Sequence, residues 1–126
     1  MNDRLYNIKE TIDEGNYLYE IVESGGQLGV RCRKYVKGDE LFECINEIPL
    51  KYRFNLKKFI SHRFNMITTK FESIVWCWPY DEFNLEIGKE MSKKRVNMKI
   101  ELKKRKIKNF VHKIMKYNLP KSLTIN

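Results

Sequence analysis

Two segments in the first third of the chain alternate apolar and polar side chains and predict a β-hairpin. Residues 17–24 alternate with a period of two, and residues 28–36 do the same. Between them, Ser24-Gly25-Gly26-Gln27 supplies the residues that tight turns favour. We therefore expect two adjacent antiparallel strands joined by this turn.

The second strand of this hairpin places two arginines on one face. Arg31 and Arg33 point one way, and Val30 and Cys32 point the other, because successive side chains of a strand alternate between faces. A solvated outer face and a ligand-binding face both fit this pattern, since antiparallel sheets commonly leave one face in water.

Further strands are predicted on both sides of a basic segment. Residues 40–48 follow a Lys37-Gly38-Asp39 turn and predict a strand that ends at Pro49. Residues 66–78 predict another strand that stops at Pro79. The last part of that strand is apolar on both sides, so we expect it to be covered on both faces.

Two shorter segments are candidates for helices. Leu5, Ile8 and Ile12 recur at helical intervals ahead of Gly15, which predicts a short N-terminal helix. Residues 50–65 mix apolar and basic side chains with a period that is neither 2 nor 3.6. This segment is either a short basic helix or an irregular excursion.

The segment 81–119 has no proline, and Gly88 is its only glycine. Counted at 100° per residue, its apolar side chains form two nearly opposite stripes, which predicts helix covered by two different surfaces. A break near residues 103–106 would leave a first helix on the sheet and a second on another subunit, and one long helix is the alternative. The first stripe contains Phe83, Ile87, Met91, Met98 and Leu102, and the second contains Leu85, Val96, Ile100, Ile107, Phe110, Val111 and Ile114.

These elements define an α+β fold in which a small antiparallel β-sheet is followed by C-terminal α-helices. We expect one domain over residues 1–126, with a β-rich part at 16–79, a helical part at 81–119 and a short tail at 120–126. A chain of 126 residues has a modest core, so self-association would help its stability. We expect a homo-oligomer in which the patch of Ile107, Phe110, Val111 and Ile114 packs on another copy.

Charge is distributed unevenly along the chain. Residues 84–121 contain thirteen lysines and arginines against three glutamates, whereas the remainder has twelve basic and thirteen acidic residues. The whole excess of the formal net charge of +9 therefore lies in the C-terminal third. A basic face of this kind attracts nucleic acids, nucleotides or acidic proteins and does not choose among them, and a merely solvating helix face is equally consistent with it.

Cysteine and histidine usage argues against a metal site or a disulfide framework. Cys32, Cys44 and Cys77 are widely spaced and odd in number, and His62 and His112 are isolated. We expect no metal, no cofactor and no catalytic residue. The N-terminal residues are too polar for a signal peptide, and no apolar run approaches a membrane span, so we expect a cytoplasmic protein.

The stretch from Cys77 to Gly88 carries the distinctive chemistry. Asp81 is predicted as the N-cap of a helix that begins near Glu82, because its carboxylate can accept the amide of Asn84. A helix N-terminus also presents free amides that hold phosphates or carboxylates. Asp81 and Asn84 therefore either satisfy the helix end or take part in an anion site.

The pattern Cys77-x-Pro79-x-Asp81-x-Phe83-Asn84-x-x-x-Gly88, continuing through Ser92 to Arg95, resembles a motif of small phage proteins. It is similar to that of the first family of Thoeris anti-defence sponge proteins. The resemblance implies a small antiparallel sheet followed by helices, and sequestration of the cyclic ADP-ribose isomer made by the host's TIR-domain sensor. It also implies pockets between subunits, dimers or hexamers, and, in some members, sites for cyclic oligonucleotides. Ser92 departs from the small alanine-like residue expected there.

A nucleotide-type ligand needs an aromatic surface for its base, donors for its phosphates and polar groups for its hydroxyls. Asn84 and Arg95 are eleven residues apart, about 16 Å along a helix, so we expect both to touch one small ligand only if Arg95 comes from a different chain. Gly88 is expected to be a packing residue and not a ligand contact. The candidate ligand-binding residues are Asn84, Phe83, Arg95, Trp78, Arg31 and Arg33.

The sequence, with this resemblance, therefore predicts a phage-encoded protein of the host cytoplasm that sequesters a cyclic nucleotide-type signal without cleaving it. The first alternative is a basic inhibitor that binds nucleic acid or a nucleoprotein, such as an anti-CRISPR protein, whose binding would weaken steeply with salt. The second is an enzyme that hydrolyses the signal. No nucleophile–base pair in the sequence argues for the enzyme.

Overall fold

A computed structural model describes residues 6–64, 68–78 and 80–116. It has an α+β fold with a four-stranded antiparallel sheet followed by a long C-terminal helix, as predicted. The strands lie in the order β1-β2-β3-β4, which leaves β1 and β4 at the two edges. Their bounds are β1 Asn7–Asp13, β2 Leu18–Ser24, β3 Gln27–Lys37 and β4 Thr68–Trp76.

The predicted hairpin is confirmed. Strands β2 and β3 pair in register up to Ser24 opposite Gln27, which leaves a two-residue loop. Gly25 and Gly26 occupy that loop with φ angles of +59° and +79°. Positive φ at both central residues matches the twist of the flanking strands, and glycine adopts it without steric cost.

The N-terminal helix was a wrong prediction where the structure describes the segment, because Asn7–Asp13 is a strand. It pairs with β2, and the register shifts between Ile8 and Glu10. Ile8 therefore lies beside Val22 and Ile12 lies beside Tyr19, on opposite faces of the sheet. The register shift adds one residue to β1, which interrupts the alternation of its two faces. Ile8 and Ile12 are then four residues apart, a spacing that is also typical of a helix.

The strand predicted at 40–48 was also wrong. The chain there forms a short helix α1, Gly38–Leu41, and a 3-10 helix, Glu43–Glu47. Leu41, Cys44 and Ile48 are buried, and their spacing of three and four residues places them on one side of a helical path. The segment that follows is helix α2, Leu50–Phe64, so the helical alternative for residues 50–65 is confirmed over that range.

Strand β4 confirms the strand predicted at 66–78, with narrower bounds. Residues 66, 67 and 79 lie outside the described residues, so the predicted stop at Pro79 does too. The prediction that the last part of this strand is covered on both faces was wrong, because Ile74, Val75 and Trp76 are only half-buried. Their strand lies at the edge of the sheet, beside an open cavity that these residues help to line.

Helix α3 runs without interruption from Leu85 to Lys116. The break near residues 103–106 was therefore wrong, and the single long helix is confirmed. One apolar stripe is buried within the chain, including Ile107 and Val111, which removes the reason for expecting that patch on another subunit. The side chains left exposed belong to the other stripe and are Ile87 at 55%, Met91 at 42%, Met98 at 58% and Leu102 at 49%.

The described residues group into two compact units. The first unit contains the described residues of 1–34 and 70–99, which include most of the hairpin, most of β4 and the first half of α3. The second takes those of 35–69 and 100–126, which include α1, α2 and the rest of α3. None of the helices in the described part is both long and apolar enough to cross a membrane. The predicted tail at 120–126 lies outside the described residues.

Gly88 is where helix α3 approaches the sheet most closely. A Cβ added to Gly88 would lie 2.5 Å from Cγ2 and 3.1 Å from Cβ of Val30 on β3, distances that side chains do not tolerate. Val30 is fully buried and its side chain is stiff at χ1, so it cannot easily move aside. The packing role predicted for Gly88 is confirmed. Its exclusion as a ligand contact stays a prediction, because Gly88 also lines the cavity described below.

We expect Gly88→Ala to destabilise the protein by about 1–2 kcal/mol. Overpacking costs about 1–3 kcal/mol, and a contact of 2.5 Å places this site in the upper part of that range. The better helix propensity of alanine returns about 1 kcal/mol of the cost. Urea denaturation of the parent and the variant measures the difference. The control is Val30→Ala with and without Gly88→Ala, because the smaller side chain should absorb the new methyl group. A Gly88→Ala variant as stable as the parent would disprove this role.

Candidate functional site

An open cavity of about 690 Å³ lies in the first compact unit. Its walls come from the end of β4, the connector at residues 77–84 and the first three turns of α3. This volume is within the range of about 300–1,000 Å³ that small-molecule sites occupy. Four of the six predicted binding residues line it: Trp78, Phe83, Asn84 and Arg95.

The connector is fixed to the sheet and to itself by hydrogen bonds. The backbone N–H of Cys77 donates to the carbonyl of Leu28 at 2.8 Å, and Gln27 Nε2 donates to the carbonyl of Cys77 at 3.0 Å. The N–H of Asp81 then closes a turn onto the carbonyl of Trp78 at 3.0 Å, and the thiol of Cys77 donates to the carbonyl of Asp81 at 3.4 Å. These contacts hold the aromatic wall of the cavity in place.

Asn84, and not Asp81, caps helix α3. Its Oδ1 accepts the N–H of Ile87 at 3.1 Å, and its carbonyl accepts the N–H of Gly88 at 3.0 Å as the first bond of the helix. The predicted cap at Asp81 and the helix start near Glu82 were wrong, because residues 81–84 are not helical and the helix begins only at Leu85. The cap uses only the oxygen of the Asn84 side chain, so the NH₂ group keeps its two donors for a ligand.

Arg95 lies on the same side of α3 as Asn84 and lines the same cavity. Its Nη1 donates to the carbonyl of Ile74 at 3.4 Å, a long hydrogen bond that holds the exposed guanidinium weakly. Both residues of one chain therefore border this cavity, with Arg95 in contact with β4 at Ile74. That one small ligand touches both Asn84 and Arg95 only when Arg95 comes from a different chain stays a prediction.

Arg31 and Arg33 do not line this cavity. The side chain of Arg31 is paired with Glu20, with Nη2 2.8 Å and Nε 2.9 Å from Oε1. Arg33 lies 3.0 Å from Glu72 and 3.4 Å from Glu20. Because Val30 faces helix α3, the neighbouring arginines face the other side of the sheet. The structure therefore does not bring Arg31 and Arg33 together with the other four candidates. The solvated alternative was wrong for Arg31, which is buried.

Sequence reasoning missed several residues that line the cavity. Ile87, Met91 and the two carboxylates of Asp81 and Glu82 are among them. Part of this wall could have been found from spacing, because residues 84, 87, 88, 91 and 95 recur every three or four positions and share one face of α3. The lining residues of the connector could not have been found from spacing, since their positions depend on the turn between Trp78 and Asp81.

A second cavity, of about 450 Å³, lies in the second compact unit and is lined by paired charges. Lys104 Nζ is 2.8 Å from Glu43 Oε1, and this contact raises the pKa of Lys104. His112 Nε2 is 3.0 Å from Glu47 Oε2, and that hydrogen bond lowers the pKa of Glu47. Glu43 and Glu47, which line this cavity, are therefore already engaged by other side chains, and no aromatic ring is among the described residues that line it.

Two of the three thiols are held protonated by their surroundings. Burial raises the pKa of Cys32 to about 11, and burial likewise raises the pKa of Cys44. A thiol is nucleophilic as its thiolate, so neither group supplies a nucleophile near neutral pH. Over residues 6–64, 68–78 and 80–116, no group of three or more His, Cys, Asp or Glu side chains is arranged to hold a metal ion.

Comparisons of this chain with protein-family models, with curated proteins and with solved structures give no match.

Proposed function

We propose that this protein is a phage-encoded anti-defence protein that binds and sequesters a cyclic nucleotide-type immune signal in the host cytoplasm. The proposal is supported by one observation above all. Trp78, Phe83, Asn84 and Arg95, singled out for a nucleotide-type ligand, line one cavity of ligand size. All four lie in the segment, 77–95, that resembles the sponge family, and Phe83, Asn84 and Arg95 are named positions of its motif.

Each of the four residues suits one part of such a ligand. The rings of Trp78 and Phe83 offer flat apolar surface on which a base can stack. The NH₂ group of Asn84 donates to a carbonyl, hydroxyl or phosphate oxygen. The guanidinium of Arg95 can bind a phosphate through two parallel hydrogen bonds, for which its weak contact with Ile74 is readily exchanged. The signal would be a cyclic ADP-ribose isomer or a cyclic oligonucleotide.

Sequestration requires affinity and stoichiometry and no chemical step. The proposed protein therefore holds its ligand intact, whereas a hydrolase would release fragments. The test is to incubate the protein with extracts of cells that produce TIR-derived or cyclic-oligonucleotide signals, wash it, denature it by heat and identify the released compound by mass spectrometry. An intact cyclic nucleotide supports the proposal. Linear fragments indicate hydrolysis, and the absence of any nucleotide refutes the proposal.

We expect Asn84→Ala and Arg95→Ala each to weaken binding of the recovered signal at least tenfold, about 1.4 kcal/mol of binding free energy. Asn84→Ala should also lower the free energy of unfolding by about 1 kcal/mol, because Oδ1 caps α3. Arg95→Ala should leave stability nearly unchanged, since its contact with Ile74 is long and exposed. Calorimetry with melting curves measures both quantities. Unchanged affinity in both variants would remove these residues from the site.

A second candidate function, binding of nucleic acid or a nucleoprotein as an anti-CRISPR protein would, is favoured by helix α2. Its fifteen residues include five lysines and arginines and no acidic residue, and Leu50 and Phe54 are exposed beside these charges. Such a surface suits phosphates and unstacked bases. Binding by α2 would fall steeply between 50 mM and 200 mM salt, whereas binding in the cavity by directed hydrogen bonds would change far less.

We further propose a homo-oligomer, a dimer or a hexamer, now on the basis of a different surface. Ile87, Met91 and Met98 are exposed along the first half of α3, in place of the patch first expected. Exposed apolar stripes of this kind commonly mark interfaces. A monomer mass by light scattering at micromolar concentration would refute this part of the proposal.

A further inference from the structure

The charged residues that line the first cavity are unusual for a basic protein. The formal net charge of the chain is +9, yet the charged residues among the described ones lining the cavity are Asp81, Glu82 and Arg95. The lining includes two carboxylates and one guanidinium, so the formal charge of these three side chains is negative. The positive charge of the chain as a whole therefore does not make the cavity a general trap for polyanions.

The two signs of charge lie at opposite ends of the cavity. Asp81 and Glu82 lie in the connector just ahead of the N-cap Asn84, whereas Arg95 lies eleven residues further along α3. The positive end of the helix dipole is at Asn84, but it is already faced by these carboxylates and by Glu86 in the first turn. A phosphate at that end would meet like charges, and a phosphate at Arg95 would meet a guanidinium.

We infer that Asp81 and Glu82 determine the specificity and orientation of the ligand, holding its hydroxyl- or amino-bearing end near Asn84 while Arg95 holds its phosphate. Carboxylates accept hydrogen bonds from hydroxyl and amino groups and repel phosphates. Ligands with a phosphate at both ends, as each nucleotide of a cyclic oligonucleotide has, are consequently disfavoured. The cyclic ADP-ribose isomer, whose two phosphates are joined to each other, is therefore favoured over a cyclic oligonucleotide. This inference deepens the proposed function and rests on it, because it concerns the same cavity.

Three adenine compounds that differ only in their phosphates test the inference. Adenosine 5′-monophosphate has one phosphate, adenosine has none, and adenosine 3′,5′-bisphosphate adds a second phosphate at the ribose end. Trp76 and Trp78 both line the cavity, so binding can be followed by quenching of tryptophan fluorescence. We expect the parent protein to bind the monophosphate at least tenfold more tightly than either of the other two compounds.

Two affinity ratios are measured, monophosphate over adenosine and monophosphate over bisphosphate, and each should depend on one end of the cavity. Arg95→Gln should reduce the preference for monophosphate over adenosine to less than threefold and leave the discrimination against the bisphosphate intact. Asp81→Asn combined with Glu82→Gln should do the reverse, reducing the discrimination against the bisphosphate to less than threefold. Matched controls are Lys94→Gln and Glu90→Gln, which remove the same charges from exposed residues of α3 that do not line the cavity. The controls should preserve both ratios.

The outcomes separate the inference from the proposed function. If the parent binds none of the three compounds at millimolar concentration and releases no nucleotide in the extract experiment, the proposed function is wrong and the inference falls with it. If the parent binds nucleotides but prefers the bisphosphate, or if the acidic double variant leaves the discrimination unchanged, the inference alone is wrong.

Discussion

Replacing Glu20 by alanine is expected to lower the free energy of unfolding by about 3–5 kcal/mol, the cost of breaking a buried ion pair from one side. The side chain of Glu20 is 6% exposed and that of Arg31 is 10% exposed, with 2.8 Å between Nη2 and Oε1. Without the carboxylate, the guanidinium of Arg31 stays largely out of water and loses its close partner. Urea denaturation followed by tryptophan fluorescence measures the change in the first compact unit, which contains Trp76 and Trp78.

Two control variants distinguish the buried pair from an ordinary surface contact. Glu23→Ala removes a carboxylate from the same strand, β2, that lies 3.2 Å from Lys9 of β1. Both of these side chains are partly exposed, so the change should cost about 1 kcal/mol or less. Glu20→Ala combined with Arg31→Ala should cost less than the sum of the single changes, because no unpaired buried charge remains. Equal losses for Glu20→Ala and Glu23→Ala would contradict the role assigned to the buried pair.

The same pair determines how Arg31 should behave in a binding experiment. Arg31 and Arg33 face the side of the sheet away from α3, whereas the cavity is lined by Val30 from the opposite face of β3. Arg31→Ala is therefore expected to lower stability and to leave nucleotide affinity unchanged in protein that is still folded. Arg95→Ala should show the opposite pattern.

The fold could be predicted from the sequence wherever one periodicity acts alone. The hairpin follows from a period of two that ends at Gly25 and Gly26, and α3 follows from a long segment without proline. Asn7–Asp13 could not be recognised as a strand, because a register shift after Ile8 interrupts its alternation. Residues 40–48 have enough apolar residues for a strand, and only the burial of Leu41, Cys44 and Ile48 shows that their spacing is helical.

The candidate site was predicted where its residues are close in sequence and missed where they depend on tertiary structure. Trp78, Phe83 and Asn84 lie within seven residues, so one stretch of chain brings them together. Arg31 and Arg33 were grouped with them on charge, but sequence gives no sign that Glu20 and Glu72 already neutralise these arginines. The break expected in α3 failed for a related reason, because the chain itself covers the stripe that was assigned to another subunit.

Raising the pH from about 9 to 12 is expected to destabilise the protein, because two acidic groups are buried in their neutral forms. Burial raises the pKa of the Tyr19 hydroxyl from 10.0 to about 12 and that of the Cys32 thiol from 9.0 to about 11. Tyr19 and Cys32 lie opposite each other on β2 and β3, and they are 2% and 0% exposed. If either group loses its proton in the folded protein, a phenolate or thiolate is held out of contact with water, which is unfavourable.

The sign of the effect follows from counting bound protons. Between the ordinary pKa and the raised pKa of each group, the folded protein keeps a proton that the unfolded chain has lost, so stability falls as pH rises. The loss begins near pH 9 for Cys32 and near pH 10 for Tyr19. It is complete above about pH 11 and 12 respectively, at on the order of 3 kcal/mol for each group.

Urea denaturation from pH 8 to pH 11 under reducing conditions measures this slope, and two substitutions assign it. Cys32→Ala should remove the part that begins near pH 9, and Tyr19→Phe should remove the part that begins near pH 10. Both changes also alter packing, so their stability at pH 8 will differ from that of the parent, but packing does not depend on pH and leaves the slope unaffected. A parent-like slope in the combined Tyr19→Phe and Cys32→Ala variant would assign the alkaline loss to other groups, and a flat profile in the parent would show that neither side chain is buried as the fold places it.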